Sequence, residues 1–271
     1  MSARALRPLI VGIALIGTPL AAPSAAAEPP PAEPPPAEPS NATAGPDLRG
    51  AWRMDLSLTT KATIPVLGET IIQTGSVYLV EIVGTPDAPI QQQTVCSITP
   101  DASRSIATTT IPPGFIDAMP DKRFALSVRP DGSQWAVSGD MKMLAIGYDL
   151  DKAPAGIPQE AEHAAVIDHE GDGNPGATVH LKAPLFGQVE VYMLQRARTT
   201  VAGTWDGRDR IDGKATVLDF AQRTIGASNR LFVANPKLEA VPETSTWRMT
   251  RVPKGTTCGH LRGGMAAATG G

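Results

Sequence analysis

Aromatic residues make up only 4% of the 271-residue chain: four Trp, three Tyr and five Phe. Any core must therefore be built mainly from Val, Ile, Leu, Met and Ala. Positive charge is also short. Twenty-four Lys and Arg stand against 27 Asp and Glu, a formal net charge of −3. That excludes a nucleic-acid grip, which needs a basic patch to release counterions from phosphate. It also gives no polybasic attraction to an anionic membrane. Helical patterning is missing: no segment of 12 residues carries an apolar stripe of period 3.6. Catalytic signatures are missing too. The chain has no Gly-x-Ser-x-Gly elbow, His-Glu-x-x-His zinc helix or phosphate-binding glycine loop.

What is present begins with a leader. Arg4 and Arg7 precede an apolar run from Leu9 to Leu20, broken only by Gly12, Gly17, Thr18 and Pro19, and Ala25-Ala26-Ala27 follows. This pattern predicts a secretory signal peptide over residues 1–27, too short and wrongly flanked for a membrane span. The mature chain is expected to have no transmembrane span and to be secreted or periplasmic. No cysteine follows the leader directly, so no lipid anchor of the bacterial lipoprotein type is expected. The leader removes two basic residues and no acid, which leaves the remainder more acidic. Residues 28–46 form a proline-rich linker, with Glu-Pro-Pro-Pro-Ala repeated from Glu28. Such a run cannot supply the backbone donors of helix or sheet and favours a semi-rigid polyproline II spacer. Residues 263–271 read as a disordered Gly/Ala-rich tail.

Residues 47–262 read as one all-β domain, a single antiparallel barrel or sandwich. Alternation places Met54, Leu56 and Leu58 on one face, Phe124, Leu126 and Val128 on another, and likewise Val77 with Leu79, Val189 with Val191 and Met193, and Trp247 with Met249. Turn chemistry separates these runs at Gly84-Thr85-Pro86-Asp87, Ile111-Pro112-Pro113-Gly114, Asp206-Gly207, Asp212-Gly213 and Asn235-Pro236. Single helical turns are expected at Phe115–Met119 and Leu218–Gln222. Cys96 and Cys258 are the only cysteines. In an exported chain they are expected to form a disulfide tying the first third of the domain to its last strand. By chain-entropy arithmetic, closing a loop of this length contributes about 4–5 kcal/mol.

The sharpest local motif is Asp168-His169-Glu170-Gly171-Asp172-Gly173-Asn174-Pro175-Gly176. Oxygen-bearing side chains at alternate positions, then glycine at the sixth, suit a calcium loop. Asp168, Glu170, Asp172 and Asn174 are the candidate ligands. The twelfth position is Val179 rather than a bidentate Glu, and both flanks read as strands. An EF-hand is thereby excluded, and a β-hairpin with an acidic tip is expected. His169 would lie at that tip, with His163 and His180 across the hairpin from each other, where the three could collect a metal. A second acidic group, Asp206, Asp209 and Asp212, alternates with Arg208 and Arg210 and reads as a salt-bridged surface.

Gly50-Ala51-Trp52 at the domain start resembles the Gly-x-Trp of lipocalins and other calycin-type barrels. In that family the Trp closes one barrel end and an Arg from near the last strand packs over it. The resemblance implies that Trp52 pairs with Arg248 or Arg251 in an up-and-down barrel, with Trp52 and Arg251 at a pocket for a small apolar ligand. The 170–176 stretch is similar to Asp-Gly-Asp-Gly-x-Pro-Gly tips of predicted exported bacterial proteins, which implies no activity. The expected role is non-catalytic binding of a small apolar ligand or a cell-envelope component. The alternatives are a calcium-stabilised adhesion module and a hydrolase with a scattered site.

Overall fold

The computed structural model describes residues 46–64, 68–102, 107–184 and 186–262. The expected leader, all of the linker but residue 46, and the 263–271 tail lie outside these. The strands are β1 (Gly50–Ile64), β2 (Gly68–Thr85), β3 (Ala88–Ala102), β4 (Thr108–Thr110), β5 (Lys122–Asp131), β6 (Gln134–Ile146), β7 (Ala177–Ala183), β8 (Gly187–Trp205), β9 (Arg210–Ala227), β10 (Lys237–Ala240) and β11 (Thr246–Arg251). One short helix, α1 (Pro113–Asp117), lies between β4 and β5.

The fold is all-β: one antiparallel sheet of eleven strands that partly closes into a ring. Around the ring the order is β1, β2, β3, β5, β6, β8, β9, β11, and β11 pairs back with β1. Every ring strand thus neighbours the next ring strand in sequence, an up-and-down path that needs no long crossover. Closure rests on β8 against β9, an almost continuous ladder from Val191 to Trp205. The thinnest seam is β3 against β5, where only Ile90–Gln93 pair. The tight turns β2–β3, β5–β6 and β8–β9 gather at one end. The long excursions between β3 and β5, β6 and β8, and β9 and β11 gather at the other.

Alternation explains which side chains enter the ring. Trp52, Met54 and Leu56 from β1, Phe124 and Leu126 from β5, and Trp247 and Met249 from β11 are buried together, as their period-two pattern predicts. The interior is not wholly apolar. Gln91 and Gln93 are buried in β3, with the Gln91 amide donating to Gln93 Oε1 at 2.7 Å. β2 corrects the expected face. Tyr78, Val80 and Ile82 point into the ring, whereas Val77 packs outside with Cys96 and Leu261, alongside Leu79, Val252 and Cys258. Both faces of β2 are covered there, so alternation alone misassigned the inner one.

The disulfide Cys96–Cys258 is present, with Cα atoms 5.0 Å apart and a sequence separation of 162. Its place differs from the expected one. Cys258 lies beyond the last strand, in a helical turn at 258–262. Cys96 is the extra residue of a bulge, since Val77 pairs with Ser97 and Tyr78 with Val95. A bulge re-aims a side chain locally, and here the bridge fastens the C-terminal segment onto the outer wall rather than closing the ring.

Two further expectations change. The helical turn at Phe115–Met119 is found as α1 and its following residues, but Leu218–Gln222 lies within β9. The ladder slips there, with Thr199 opposite Val217 and Arg198 opposite Asp219, so Leu218 is extruded and broke the alternation. Asp212-Gly213 is strand interior, not a turn. Gly213 is needed because the Trp247 indole crosses directly over it to donate to Ala202 O at 3.2 Å. A Cβ at Gly213 would collide with Trp247 Nε1 and the Ala202 carbonyl.

Candidate functional site

At the tight-turn end, Trp52 is fully buried and donates its indole N–H to Leu48 O at 2.9 Å. The Arg251 guanidinium lies over its ring, 4.3 Å from the centroid. Arg251 opposes Trp52 in the β1–β11 register, and adjacent antiparallel strands put their side chains within reach. The same guanidinium donates to Arg49 O at 2.8 Å and Asp47 O at 3.2 Å, and pairs with Asp209 at 3.3 Å. One cation thus ties the segment before β1, the final strand and the β8–β9 turn together. Arg248, the alternative partner, points outward to Asp212 at 2.7 Å. Trp205 and Trp247 are buried in the same ring. Trp52 and Arg251 form a plug here and line neither of two depressions found elsewhere on the ring.

Those depressions lie on the outer wall. One crosses β9, β11, β1, β2 and β3, floored by Gly75, Gly213, Ser57 and Ser97 and flanked by Arg53–Asp55 and Arg248–Asp212 ion pairs. The other lies between Glu81, Gln92, Lys122 and the Gly255-Thr256 turn. The acidic group near the first is already neutralised by arginines or spent on backbone. Asp206 accepts from the Arg208 and Arg210 amides, Asp209 pairs with Arg251, and Asp212 pairs with Arg210 and Arg248. The arginines beside Asp212 hold its carboxyl below the ordinary value.

The Asp168 loop is built differently from the expected hairpin tip. β7 pairs with β4 and β8, not with residues 164–167. That segment folds back on the end of β6 through an isolated Tyr148–Val166 bridge. The runs on each side were too short for alternation to name their partners. Within the loop, Asp168 accepts the backbone N–H groups of Gly171, Asp172 and Gly173 at 2.8–3.0 Å. Asp172 accepts from Asn174 N at 2.8 Å. Gly173 has φ +88°, the left-handed turn its position requires. Glu170 turns inward, and its Oε1 accepts from Thr178 N at 2.6 Å. His169 stacks edge-on against Phe115, 5.2 Å between centroids.

The four histidines are dispersed. His163 Nδ1 accepts from Ala165 N, His260 Nδ1 accepts from Thr257 N, and His180 stands opposite Glu190 in the β7–β8 register. Among the described residues, no group of three or more His, Cys, Asp or Glu is placed to hold a metal ion. Since the loop's own amides already bind both Asp168 oxygens and Asp172 Oδ1, a chelator is expected to leave the thermal midpoint unchanged. A calcium-dependent rise in scanning calorimetry would show instead that the loop rearranges around the ion.

Burial holds the His169 imidazole below its ordinary value and pushes the Glu170 carboxyl above its own. A raised folded-state carboxyl favours folding below its unfolded pKa, near 4.5, and loses that benefit as pH rises through the folded value. Glu170→Gln keeps an acceptor for Thr178 N and removes the charge. Urea titrations are therefore expected to show the variant gaining stability over the parent at pH 7, with the gain gone below about pH 4. A pH-independent difference would contradict this.

Sequence reasoning missed the polar pair Gln91 and Gln93, signalled only by three glutamines within an otherwise β-rich run. It also missed the apolar loop residues Phe186 and Leu231, both exposed. Comparison with family models, curated proteins and solved structures finds no match to this chain.

Proposed function

We propose that this chain is an exported, non-catalytic calycin-type barrel on a proline-rich tether, and that it binds a cell-envelope partner through its outer surface rather than a ligand inside the ring. The observation that carries this reading is the filled interior. Trp52, Met54, Val80, Val137, Val201, Ile211, Trp247 and Met249 each have 2% or less of their surface exposed, and they belong to one contiguous cluster. Carriers enclose space for a ligand, whereas the two depressions lie on the outer wall. The calycin resemblance is supported by the ring order and by Arg251 over Trp52.

Tryptophan fluorescence tests the reading. Three of the four Trp are buried within the ring, so a brominated fatty acid taken inside would quench them strongly. The expected result is no saturable quenching. Saturable quenching relieved by Trp52→Phe would make the ring a carrier.

A further inference from the structure

At the end of the ring that carries the long excursions, two loops hold apolar side chains in solvent. The β7–β8 turn presents Phe186, 51% exposed, and the segment after β9 presents Leu231 at 77% and Val233 at 43%. The two loops meet: Phe186 and Phe232 stack edge-on with centroids 5.3 Å apart. Phe232 also packs against the ring's core cluster. Exposed aliphatic and aromatic residues gathered on two touching tips mark an interaction surface rather than scattered surface leucines.

The backbone beneath the patch is fixed. Ser228 N donates to Glu190 O at 2.9 Å, and Glu190 N donates to Ser228 Oγ at 3.0 Å. The Asn229 side chain accepts from Leu231 N at 3.1 Å. The Asn235 amide brackets Thr224, accepting from its N–H at 2.7 Å and donating to its carbonyl at 3.2 Å. These bonds fix the backbone around the tip that carries Leu231.

Charge around the patch is opposite in sign to that of the chain. The two loops and the strand ends beside them carry Lys182, Arg223, Arg230 and Lys237 against the acids Glu190 and Glu239. Arg223 donates to Gln159 O and Lys237 pairs with Glu239, while Lys182 and Arg230 are exposed beside the apolar tips. The acid next along β8 is Glu190, which accepts from Tyr192 Oη at 3.3 Å. The fold thus gathers a local basic patch that the chain-wide balance of −3 conceals.

Building on the outer-surface reading above, we propose that the Phe186–Leu231–Val233 patch docks on an anionic lipid surface. The apolar tips insert at the level of the headgroups, and Lys182 and Arg230 face the lipid phosphates. Interfacial binding combines buried apolar area with attraction to anionic headgroups in this way. A purely apolar protein partner would leave the exposed Lys182 and Arg230 beside the tips without a role.

Co-sedimentation of the full chain with vesicles tests the proposal. Binding is expected to vesicles of phosphatidylethanolamine and phosphatidylglycerol, to weaken with added salt, and to be much weaker on phosphatidylcholine alone. Leu231→Asp is expected to lower partitioning at least about tenfold, the scale of losing one buried leucine. Lys182→Glu with Arg230→Glu is expected to abolish the preference for phosphatidylglycerol. All these positions are exposed, and an unchanged melting curve verifies the fold of each variant. Absence of vesicle binding, or unchanged binding by Leu231→Asp, overturns the proposal. So does a concentration-dependent dimer in sedimentation velocity that Leu231→Asp dissolves, because the patch would then join two copies. Ligand uptake by the ring would sink the outer-surface reading by a separate readout, so the two failures cannot be confused.

Discussion

Trp52→Ala is expected to destabilise the domain by about 3–5 kcal/mol, the range for truncating a buried large aromatic. Trp52 is completely buried and its indole N–H is satisfied by Leu48 O. Its loss opens a cavity at the tight-turn end and leaves that carbonyl short of a donor. The change also strips Arg251 of the ring beneath its guanidinium, a contact worth about 0.5–2 kcal/mol by itself. Arg251→Ala should therefore cost less than Trp52→Ala. The double variant should cost less than the sum of the two, because the residues share one contact. Urea denaturation of the four proteins measures the cycle, and strict additivity would show that Arg251 does not depend on Trp52.

Replacing both cysteines with serine is the second large effect, about 4–5 kcal/mol by chain-entropy arithmetic at a sequence separation of 162. The loss acts mainly through the unfolded chain, since the bridge pins a C-terminal turn to the outer wall and the ring's ladders do not pass through it. The reduced protein should keep its far-ultraviolet β signature while its denaturation midpoint falls. Collapse of that signature on reduction alone would mean that the bridge organises the ring itself.

Much of the architecture was legible because the ring strands are amphipathic. Met54, Leu56, Phe124, Leu126, Trp247 and Met249 announce their faces by alternation, and the structure buries them together. Legibility failed wherever a strand is covered on both sides or bulged. Val77 and Leu79 pack under the C-terminal segment, Leu218 is extruded from the β9 ladder, and Gly213 yields space to an indole rather than making a turn. Period-two patterns carry no mark for any of these.

The candidate sites divide in the same manner. Arg251 over Trp52 was foreseeable only through the calycin resemblance, because residues 52 and 251 are neighbours solely across the β1–β11 ladder. The acidic loop was legible as a turn, yet its carboxylates face backbone amides, a use of Asp that composition cannot separate from metal ligation. The Phe186–Leu231 patch was invisible because apolar residues in a β-rich chain read as core. Its basic surround was hidden by a net charge summed over the whole sequence.

Amide hydrogen exchange across the β8–β9 seam tests the closed, filled ring most directly. If the ladder joining residues 191–205 to 211–227 closes the ring, its inward-paired amides should exchange as slowly as those of β1 against β2, only by global unfolding. Fast exchange confined to the facing edges of β8 and β9 would mean an open sheet, and the account of a plugged ring that binds from outside would fail with it.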